Sequence, residues 1–367
     1  MFTKNDKISI RQVEVLLILD LYSKAILSLP RNAAEIANQD GWICLIGATI
    51  LALFYGYIIT RLVKRFPNDT FVEFSSKILS KPVGIFLSIL LIIKLTVTVS
   101  FELRTFGEVV KQVLLPKTPI EIIISSMLLM ACYLVRKGFE ARARLGEILF
   151  FIVLIPIIAV YILLLPNVDF ENIQPILTTP LPKILKGSYN LSLAYVSIEL
   201  ILLVGPLLNN HKKLGRASFN AILFVGILNV ISAVIALGVF GVIGTKTQVW
   251  PVMVLMGLVE IPGAFIERQE ILIMTFWILS VFSFISASIY FISLIITRIT
   301  KSADQNFLVL PLVPFIYIIS LLPNNIVQTS DWILFMRDYF RFLFLFPIPL
   351  ILLLVARLRK LGEPIEK

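Results

Sequence analysis

Long uncharged apolar runs recur from one end of this 367-residue chain to the other, for example at residues 85–93, 148–165 and 271–296. A helix that crosses the hydrocarbon core of a membrane needs about 20 mostly apolar residues. Hydrophobic residues make up 58% of the chain and charged residues 15%, against roughly 45–50% and about 25% in soluble domains. The sequence therefore predicts an all-α integral membrane protein, a single transmembrane domain over residues 1–367.

Ten segments have the length and apolarity of membrane spans. Asp20 and Lys24 interrupt the first segment, and Pro30 follows without a small-residue cleavage site, so we expect no cleavable signal peptide. Pro, Gly and polar residues interrupt the sixth and ninth segments. The predicted spans are 10–37, 42–62, 84–113, 119–136, 145–166, 186–209, 217–243, 270–298, 306–323 and 338–357.

Lys and Arg concentrate in the N-terminal tail, the even-numbered connections and the C-terminal tail. The positive-inside rule assigns such connections to the cytoplasm, which places both termini there. The formal net charge of +10 then reflects inner loops that face anionic lipid headgroups. Basic residues do not alternate with aromatic ones in a surface patch, so we expect membrane lipids as partners and no nucleic acid.

Motifs for catalysis or metal binding are absent from the sequence. Cys44 and Cys132 fall inside predicted spans, where they are expected to be small core residues rather than a disulfide. His211 lies in a basic connection without Cys or a second His at metal-ligand spacing, and we expect it to be a solvated loop residue. No Gly-rich phosphate loop, Ser-His-Asp set or Cys-x-x-Cys motif occurs. We therefore expect no metal, no other cofactor and no enzymatic activity.

Polar residues inside the spans carry more information, because an ionised side chain at mid-bilayer costs about 2.5–3.5 kcal/mol even on the insertion scale. In the third span, Lys94, Thr98 and Glu102 are spaced four apart and share one helical face. Lys94 either lines a cavity, or it snorkels or pairs with Glu102 to neutralise its charge.

Two spans that lie five segments apart are interrupted at corresponding positions. The first contains the stretch 21–30 (LYSKAILSLP), in which Pro30 removes a helical donor. The sixth contains 186–199 (KGSYNLSLAYVSIE), which is rich in poor helix formers and ends on a carboxylate. Such paired interruptions are typical of inverted-repeat transporters, whose half-helix ends face a small ligand. Ordinary proline kinks are the alternative.

Two further regions have a pattern with more than one interpretation. The eighth span carries Ser280, Ser283 and Ser286 on a small polar face, which indicates either tight helix packing or ligand contact. The segment 245–269 is apolar but broken by Pro and Gly, which favours short helices that form a lid over the outer mouth.

Four short stretches outside the spans are distinctive: 65–70 (RFPNDT), 115–119 (LPKTP), 135–144 (VRKGFEARAR) and 265–268 (FIER), the last with Trp277 downstream. With them the chain closely resembles the spore permease family, the GerAB-like B subunits of spore germinant receptors. The resemblance covers nearly the whole chain. Its most specific part is the Arg-Lys-Gly-x-Glu-x-x-x-Arg element, which forms a charged inner loop in the ten-span interpretation.

The resemblance implies a fold and a role. The family belongs to the amino acid/polyamine/organocation superfamily, so the resemblance implies a LeuT-like five-plus-five inverted repeat, with repeats at about 8–166 and 184–357. It also implies a receptor subunit of the spore inner membrane that binds a small germinant, such as an amino acid or a sugar. The implied partners are the A and C subunits of the receptor.

The two breaks depart from the family pattern. Ser23 and Lys24 stand where the family usually has Gly and a small residue, and residues 196–199 (VSIE) replace an approach richer in Gly. Lys24 either alters ligand preference or pairs with Asp20. We expect Glu199 to bind a ligand amine or hydroxyl or a coupling proton, with Lys94 completing the site. The alternative is that Glu199 pairs only with Lys94 or tethers neighbouring helices. The candidate ligand-binding residues are Ser23, Lys24, Ala25, Ser28, Lys94, Thr98, Tyr195, Ser197, Glu199, Ser283 and Ser286.

Three functions are compatible with these features. The first is a germinant-sensing subunit that passes a conformational change to partner subunits. The second is a proton- or cation-coupled amino acid transporter, in which Lys94 or Glu199 would titrate during the cycle. The third is an ion or water channel, which the sequence supports least because no ring of identical charges is evident. Solute uptake by the purified protein in liposomes distinguishes the first two.

Overall fold

The chain is a bundle of α-helices. The computed structural model describes residues 7–25, 27–258, 269–302, 304–336, 340 and 342–362, without the side chains of residues 24, 25 and 269–273. Its α-helices are α1 (Ile10–Ala25), α2 (Leu29–Ala37), α3 (Gly41–Arg65), α4 (Phe71–Ile78), α5 (Lys81–Val113), α6 (Ile120–Arg136), α7 (Phe139–Leu164), α8 (Leu181–Ser192), α9 (Ile201–Val204), α10 (Leu214–Thr247), α11 (Pro251–Gly257), α12 (Gln269–Thr300), α13 (Asn306–Leu321), α14 (Ile326–Met336), α15 (Phe342–Leu345) and α16 (Pro347–Leu358).

Described helices lie in each of the ten predicted segments, and α4, α11 and α14 lie outside them. The prediction of an all-α membrane protein is confirmed. Within the described ranges, six helical stretches are long and apolar enough to cross a membrane by themselves. The pair α13 and α14, bent by 112°, would make a seventh if it forms one span. The six stretches are Leu29–Arg65, Lys81–Val113, Phe139–Asn167, Leu181–Leu207, Leu214–Thr247 and Met274–Thr300.

Both predicted interruptions are breaks in the helices. In the first predicted segment, α1 ends at Ala25 and α2 begins at Leu29, with Pro30 in the first turn, where a missing N–H costs little. In the sixth predicted segment, α8 ends at Ser192, and the chain continues as tighter 3₁₀ turns over Leu193–Leu200 before α9. Tyr195, at φ −81° and ψ 21°, departs from helical geometry within that stretch.

The two broken segments lie side by side in the core. Ile8, just before α1, forms an isolated parallel bridge with Leu208, just after α9. The Ile8 amide donates to the Leu207 carbonyl at 2.8 Å, and the Asn209 amide donates to the Ile8 carbonyl at 3.1 Å. At the level of the breaks, the Ser197 hydroxyl donates to the Asp20 carbonyl at 3.0 Å. The bundle therefore holds the two breaks against each other.

The helices differ in how deeply they are buried. In Leu181–Leu207 and in Met274–Thr300, 83% of an 18-residue apolar stretch is buried, against 39% of the corresponding stretch in Phe139–Asn167. The sixth and eighth segments are therefore central, whereas much of α7 faces outward. Small residues let α3 and α10 approach closely: a Cβ at Gly226 would lie 2.2 Å from Thr49 Cγ2.

The connection between α7 and α8 packs against the α2–α3 junction. The Asp40 carboxylate, just before α3, accepts from the backbone amides of Leu177 and Thr179 at 2.7 and 2.8 Å and from the Thr178 hydroxyl at 3.2 Å. These bonds fix the segment that precedes α8, and with it one end of the broken sixth segment.

Two sequence-based expectations need correction. The charged element predicted as an inner loop before the fifth span lies mostly in the first turns of α7, and Arg142 within it is 3% exposed. His211, expected to be solvated, is half-buried, with Nε2 2.7 Å from the Gly205 carbonyl. The free cysteines Cys44 and Cys132 are buried, as predicted. Of the predicted lid, α11 is a short helix as expected, and residues 259–268 lie outside the described residues.

Candidate functional site

A buried ion pair joins the third span to the unwound part of the sixth. The Lys94 ammonium on α5 donates to the Glu199 carboxylate through Oε2. Lys94 is 1% exposed and Glu199 2%. Two charges removed from water are stable only if each compensates the other, because desolvating either alone costs several kcal/mol. The two ionisable residues chosen from the sequence as the centre of the site are therefore direct partners.

A second buried ion pair joins α1, α7 and α12. Arg142 Nη2 donates to both carboxylate oxygens of Asp20 at 2.7 Å. Ser283 on α12 donates to the same carboxylate at 2.9 Å, and its carbonyl accepts from Arg142 Nη2 at 3.2 Å. The Arg142 guanidinium also lies over the Phe139 ring, 5.6 Å from its centroid. This network ties three helices together beside the break in the first segment.

Hydroxyl groups predicted for the site bond to the main chain around that break. Ser23 and Ser197 both donate to the Asp20 carbonyl, at 3.1 and 3.0 Å. The Ser23 carbonyl accepts from Trp277 Nε1 at 3.2 Å. Ser286 donates to the Ser283 carbonyl at 2.8 Å, a bond within its own helix. The structure thus brings Ser23, Ser197 and Ser283 together around Asp20 and leaves Ser286 with an intrahelical partner.

Tyr195 points in a different direction. Its hydroxyl lies 3.0 Å from Thr49 Oγ1 on α3 and accepts from Asn229 Nδ2 on α10 at 3.2 Å. These bonds anchor the unwound stretch to the closely packed α3–α10 pair. They assign Tyr195 a role in holding the backbone.

The remaining predicted residues are distributed along the breaks. Thr98 is buried on α5, one turn from Lys94. Ser28 is half-buried and immediately precedes α2, where its carbonyl accepts from the Asn32 amide at 3.0 Å. Lys24 and Ala25 belong to the last turn of α1, and their side chains lie outside the described part of the chain.

Sequence reasoning missed two residues of this region, Asp20 as a site residue and Arg142 as a buried one. A carboxylate inside an apolar segment needs a partner, so Asp20 could have been selected from the sequence as a site residue. A pairing with Lys24, four residues away, was one of two alternatives for Lys24, whose side chain lies outside the described residues. The structure shows that Asp20 pairs with Arg142 of α7. Because Arg142 was counted among the inner-loop charges, its ion pair with Asp20 was not predicted.

The region is closely packed. A void beside Asp20 and Arg142 measures about 20 Å³, which is room for a single water molecule. Glu199 and Lys94 are almost fully buried. A ligand that reaches them must therefore separate the pair and displace the unwound backbone. No group of three or more His, Cys, Asp or Glu side chains that could hold a metal ion occurs among the residues described by the structure.

This architecture is that of the LeuT-fold transporters. MhsT, solved in complex with L-phenylalanine, superposes with a TM-score of 0.68 at 12% identity, covering 96% of this chain and 92% of MhsT. A Na⁺-coupled sialic acid symporter superposes with a TM-score of 0.65 at 11% identity, covering 91% of this chain and 78% of the symporter. At such identities the similarity shows the fold, and the predicted LeuT-like class is confirmed.

The sequence specifies the family within that class. The family described as "Spore germination protein" matches residues 7–329, and the chain belongs to it. Spore germination protein YndE of Bacillus subtilis (strain 168) is 29% identical over 99% of this chain and 100% of its own length. Spore germination protein A2 of the same organism is 27% identical over 91% of each chain, and spore germination protein GerLB of Bacillus cereus is 24% identical over 83% of each. The resemblance inferred from the sequence is confirmed.

Proposed function

We propose that this chain is the membrane subunit of a spore germinant receptor and binds a small nutrient, most simply a zwitterionic amino acid, between the two helix breaks. The observation that carries the proposal is the buried Lys94–Glu199 pair, which joins α5 to an unwound segment in a chain of the spore germination family. Intramembrane ionisable residues beside irregular backbone are typical of ligand and ion sites in membrane proteins.

The pair suggests how such a ligand would bind. A zwitterion carries one positive and one negative group, so it can insert between Lys94 and Glu199 and replace one ion pair with two. Its ammonium group would bind Glu199, and its carboxylate would bind Lys94, with the positive end of the α2 dipole adding to the attraction. A ligand with one charge would leave one of the two side chains buried without a counter-charge, which is costly. This requirement favours amino acids over neutral sugars.

Binding at this position would be transmitted through the backbone. Glu199 lies in the same 3₁₀ stretch as Ser197 and Tyr195, which bond to α1, α3 and α10. Separating Lys94 from Glu199 would shift that stretch and hence the helices attached to it. We propose that receptor A and C subunits in the spore inner membrane detect this shift. The names of the relatives, all spore germination proteins, support membership of such a complex.

The test is Glu199→Gln, which keeps the size of the side chain and removes its charge. Spores that carry the variant are titrated with amino acid germinants, and the abundance of the subunit in the spore membrane is measured beside the response. The variant leaves Lys94 buried without a counter-charge, so we expect less of the subunit to accumulate. Spores that retain it should need at least about tenfold more germinant, because a buried charged pairing is lost. Unchanged sensitivity at normal abundance would rule out Glu199 as a ligand-binding residue.

A matched control comes from another ion pair on α5. The Glu108 carboxylate accepts a hydrogen bond from Arg104 Nη2 at 2.7 Å, and the Glu108 side chain is 13% exposed. Glu108→Gln also removes one carboxylate from an ion pair of this helix, away from the breaks. We expect normal germinant sensitivity in this variant. An equal loss of germinant sensitivity in Glu199→Gln and Glu108→Gln would mean that the ion pairs of α5 contribute to stability alone.

A coupled amino acid transporter is the second candidate, and the similarity to LeuT-fold symporters favours it. The purified protein in liposomes is given labelled amino acids with and without an imposed proton or sodium gradient. Accumulation that depends on the gradient and is lost in Glu199→Gln would establish transport. Saturable binding without accumulation would support the receptor proposal.

A further inference from the structure

A second site lies away from the helix breaks, at the predicted cytoplasmic end of α3 and α10. A cleft of about 1170 Å³ opens between the last turns of α3, the connection before α10 and the first turns of α10. Its volume exceeds the roughly 300–1,000 Å³ typical of small-molecule pockets. None of its lining residues contributes to the Lys94–Glu199 pair or to the Asp20 network.

The rim of the cleft is strongly basic. Arg61, Lys64, His211, Lys212 and Arg216 line it, and none of the described residues of the lining is acidic. The nearby Asp69 carboxylate is bound by Lys77 at 2.6 Å. Like charges held close together repel one another, and a bound anion would relieve that repulsion. The cleft therefore has the electrostatics of an anion site.

Several contacts hold this rim in place. Lys64 Nζ donates to the Lys212 carbonyl at 2.8 Å, which ties α3 to the connection before α10. Arg61 lies over the Tyr57 ring, 5.0 Å from its centroid. His211 Nε2 lies 2.7 Å from the Gly205 carbonyl. The basic groups are thus attached to a fixed framework.

Beside the basic rim, the wall of the cleft is largely apolar. Leu53, Ile222 and Phe219 line it, and Phe219 is 50% exposed. Tyr57, at 52% exposure, stands between the basic rim and this apolar wall, a position that aromatic residues favour at membrane interfaces. Ser218 also lines the cleft, and its hydroxyl is buried and has no hydrogen-bond partner. A soluble anion would neutralise the basic rim, but it would not cover the apolar wall or bond to the Ser218 hydroxyl.

We propose that this cleft binds one anionic phospholipid of the inner leaflet. Arg61 and Arg216 hold the headgroup phosphate, the Ser218 hydroxyl donates to an ester oxygen, and an acyl chain packs along Leu53 and Phe219. Basic pockets between transmembrane helices at the cytoplasmic face are suited to such headgroups. The lipid would link α3 to α10, the two helices to which Tyr195 attaches the unwound sixth segment.

Native mass spectrometry of the purified full-length protein tests the proposal with dioleoyl phosphatidylglycerol, and with dioleoyl phosphatidylcholine as the neutral comparison. We expect phosphatidylglycerol to bind preferentially and the Arg61→Gln/Arg216→Gln variant to lose at least about tenfold in affinity. Gly215→Leu keeps every charge and places an apolar side chain in the cleft beside the basic rim, where a Cβ would lie 3.4 Å from Lys64 Nζ. It also replaces a helix-destabilising glycine, so the variant should fold and bind the lipid more weakly. Arg11→Gln/Lys81→Gln removes two exposed cations of the same predicted side outside the cleft and should bind normally.

The other outcomes overturn the proposal. Equal binding of the two lipids, or equal losses in the cleft and control variants, would show general attraction to the membrane surface. Displacement of the lipid by millimolar inorganic phosphate would assign the cleft to a free anion. Normal lipid binding by Gly215→Leu, together with loss of co-purifying receptor subunits, would make the cleft a protein interface. None of these results depends on germinant binding.

Discussion

The two buried ion pairs of the core have different surroundings. Asp20 and Arg142 belong to continuous helices, and Ser283 of a third helix bonds to both. Glu199 instead lies in the 3₁₀ stretch of the sixth segment and meets Lys94 across from it. The first pair is built into a rigid crossing of three helices, whereas the second joins one helix to backbone that has already left the helical form. We infer that the first holds the fold and the second is able to open.

The largest effect is expected when the rigid pair is broken. Arg142→Met leaves Asp20 buried without a counter-charge, which costs about 3–5 kcal/mol. We expect the variant to accumulate poorly and to unfold at a markedly lower temperature in detergent. Asp20→Leu/Arg142→Met removes both charges and should recover most of that loss, because apolar residues of similar volume often replace a buried pair without penalty. A double variant as unstable as the single one would contradict this account.

A charge reversal at the second pair separates stability from ligand response. Lys94→Glu/Glu199→Lys keeps two opposite charges in contact but exchanges them, so that the positive charge is at position 199 and the negative charge at position 94. We expect its unfolding temperature to fall by less than that of Arg142→Met, because the unwound stretch can adjust. The germinant response should be lost, since the positive group would now lie where we propose that a ligand ammonium binds. A reversed pair that still responds to the same amino acids at the same concentrations would show that the pair does not orient the ligand.

A smaller effect distinguishes two serines of α12. Ser283 bonds to the Asp20 carboxylate, whereas Ser286 bonds within its own helix. Ser283→Ala should lower the free energy of unfolding by about 1.5–3 kcal/mol, the range for a hydrogen bond to a charged group. Ser286→Ala, the matched control, should change it by less than about 0.5 kcal/mol, since alanine is a better helix former. Equal effects in the two variants would indicate that Ser283 does not support the ion pair.

Much of the fold could be predicted from the sequence, because its main determinants are local. The length and apolarity of each segment specify the spans. Pro30 and the poor helix formers before Glu199 specify the two breaks. The 3₁₀ form of Leu193–Leu200 could not be predicted, because it depends on bonds from Ser197 and Tyr195 to other helices.

The pairings between side chains in the site were harder to predict from the sequence. A sequence shows that Lys94 and Glu199 are costly in a membrane, but not which helices bring them together. Span-by-span counting of charges placed Arg142 in a loop, whereas tertiary contacts bury it against Asp20. The regular serine spacing in α12 is compatible with packing and with ligand contact, and only the position of Asp20 separates Ser283 from Ser286. The ligand role of the selected residues and the repeat boundaries therefore stay predictions.

The smallest effect is expected at Tyr195, which tests how the opening pair is attached to the rest of the bundle. Its hydroxyl bonds to Thr49 and Asn229 and so anchors the 3₁₀ stretch to α3 and α10. Tyr195→Phe keeps the ring and removes those bonds, which should lower the free energy of unfolding by about 1 kcal/mol. If Tyr195 anchors backbone and contacts no ligand, the affinity of the purified protein for an amino acid, measured by calorimetry, should stay within about twofold of the wild-type value. A tenfold loss of affinity at nearly unchanged stability would instead place the Tyr195 hydroxyl in the ligand site, which would then extend from the Lys94–Glu199 pair towards α3.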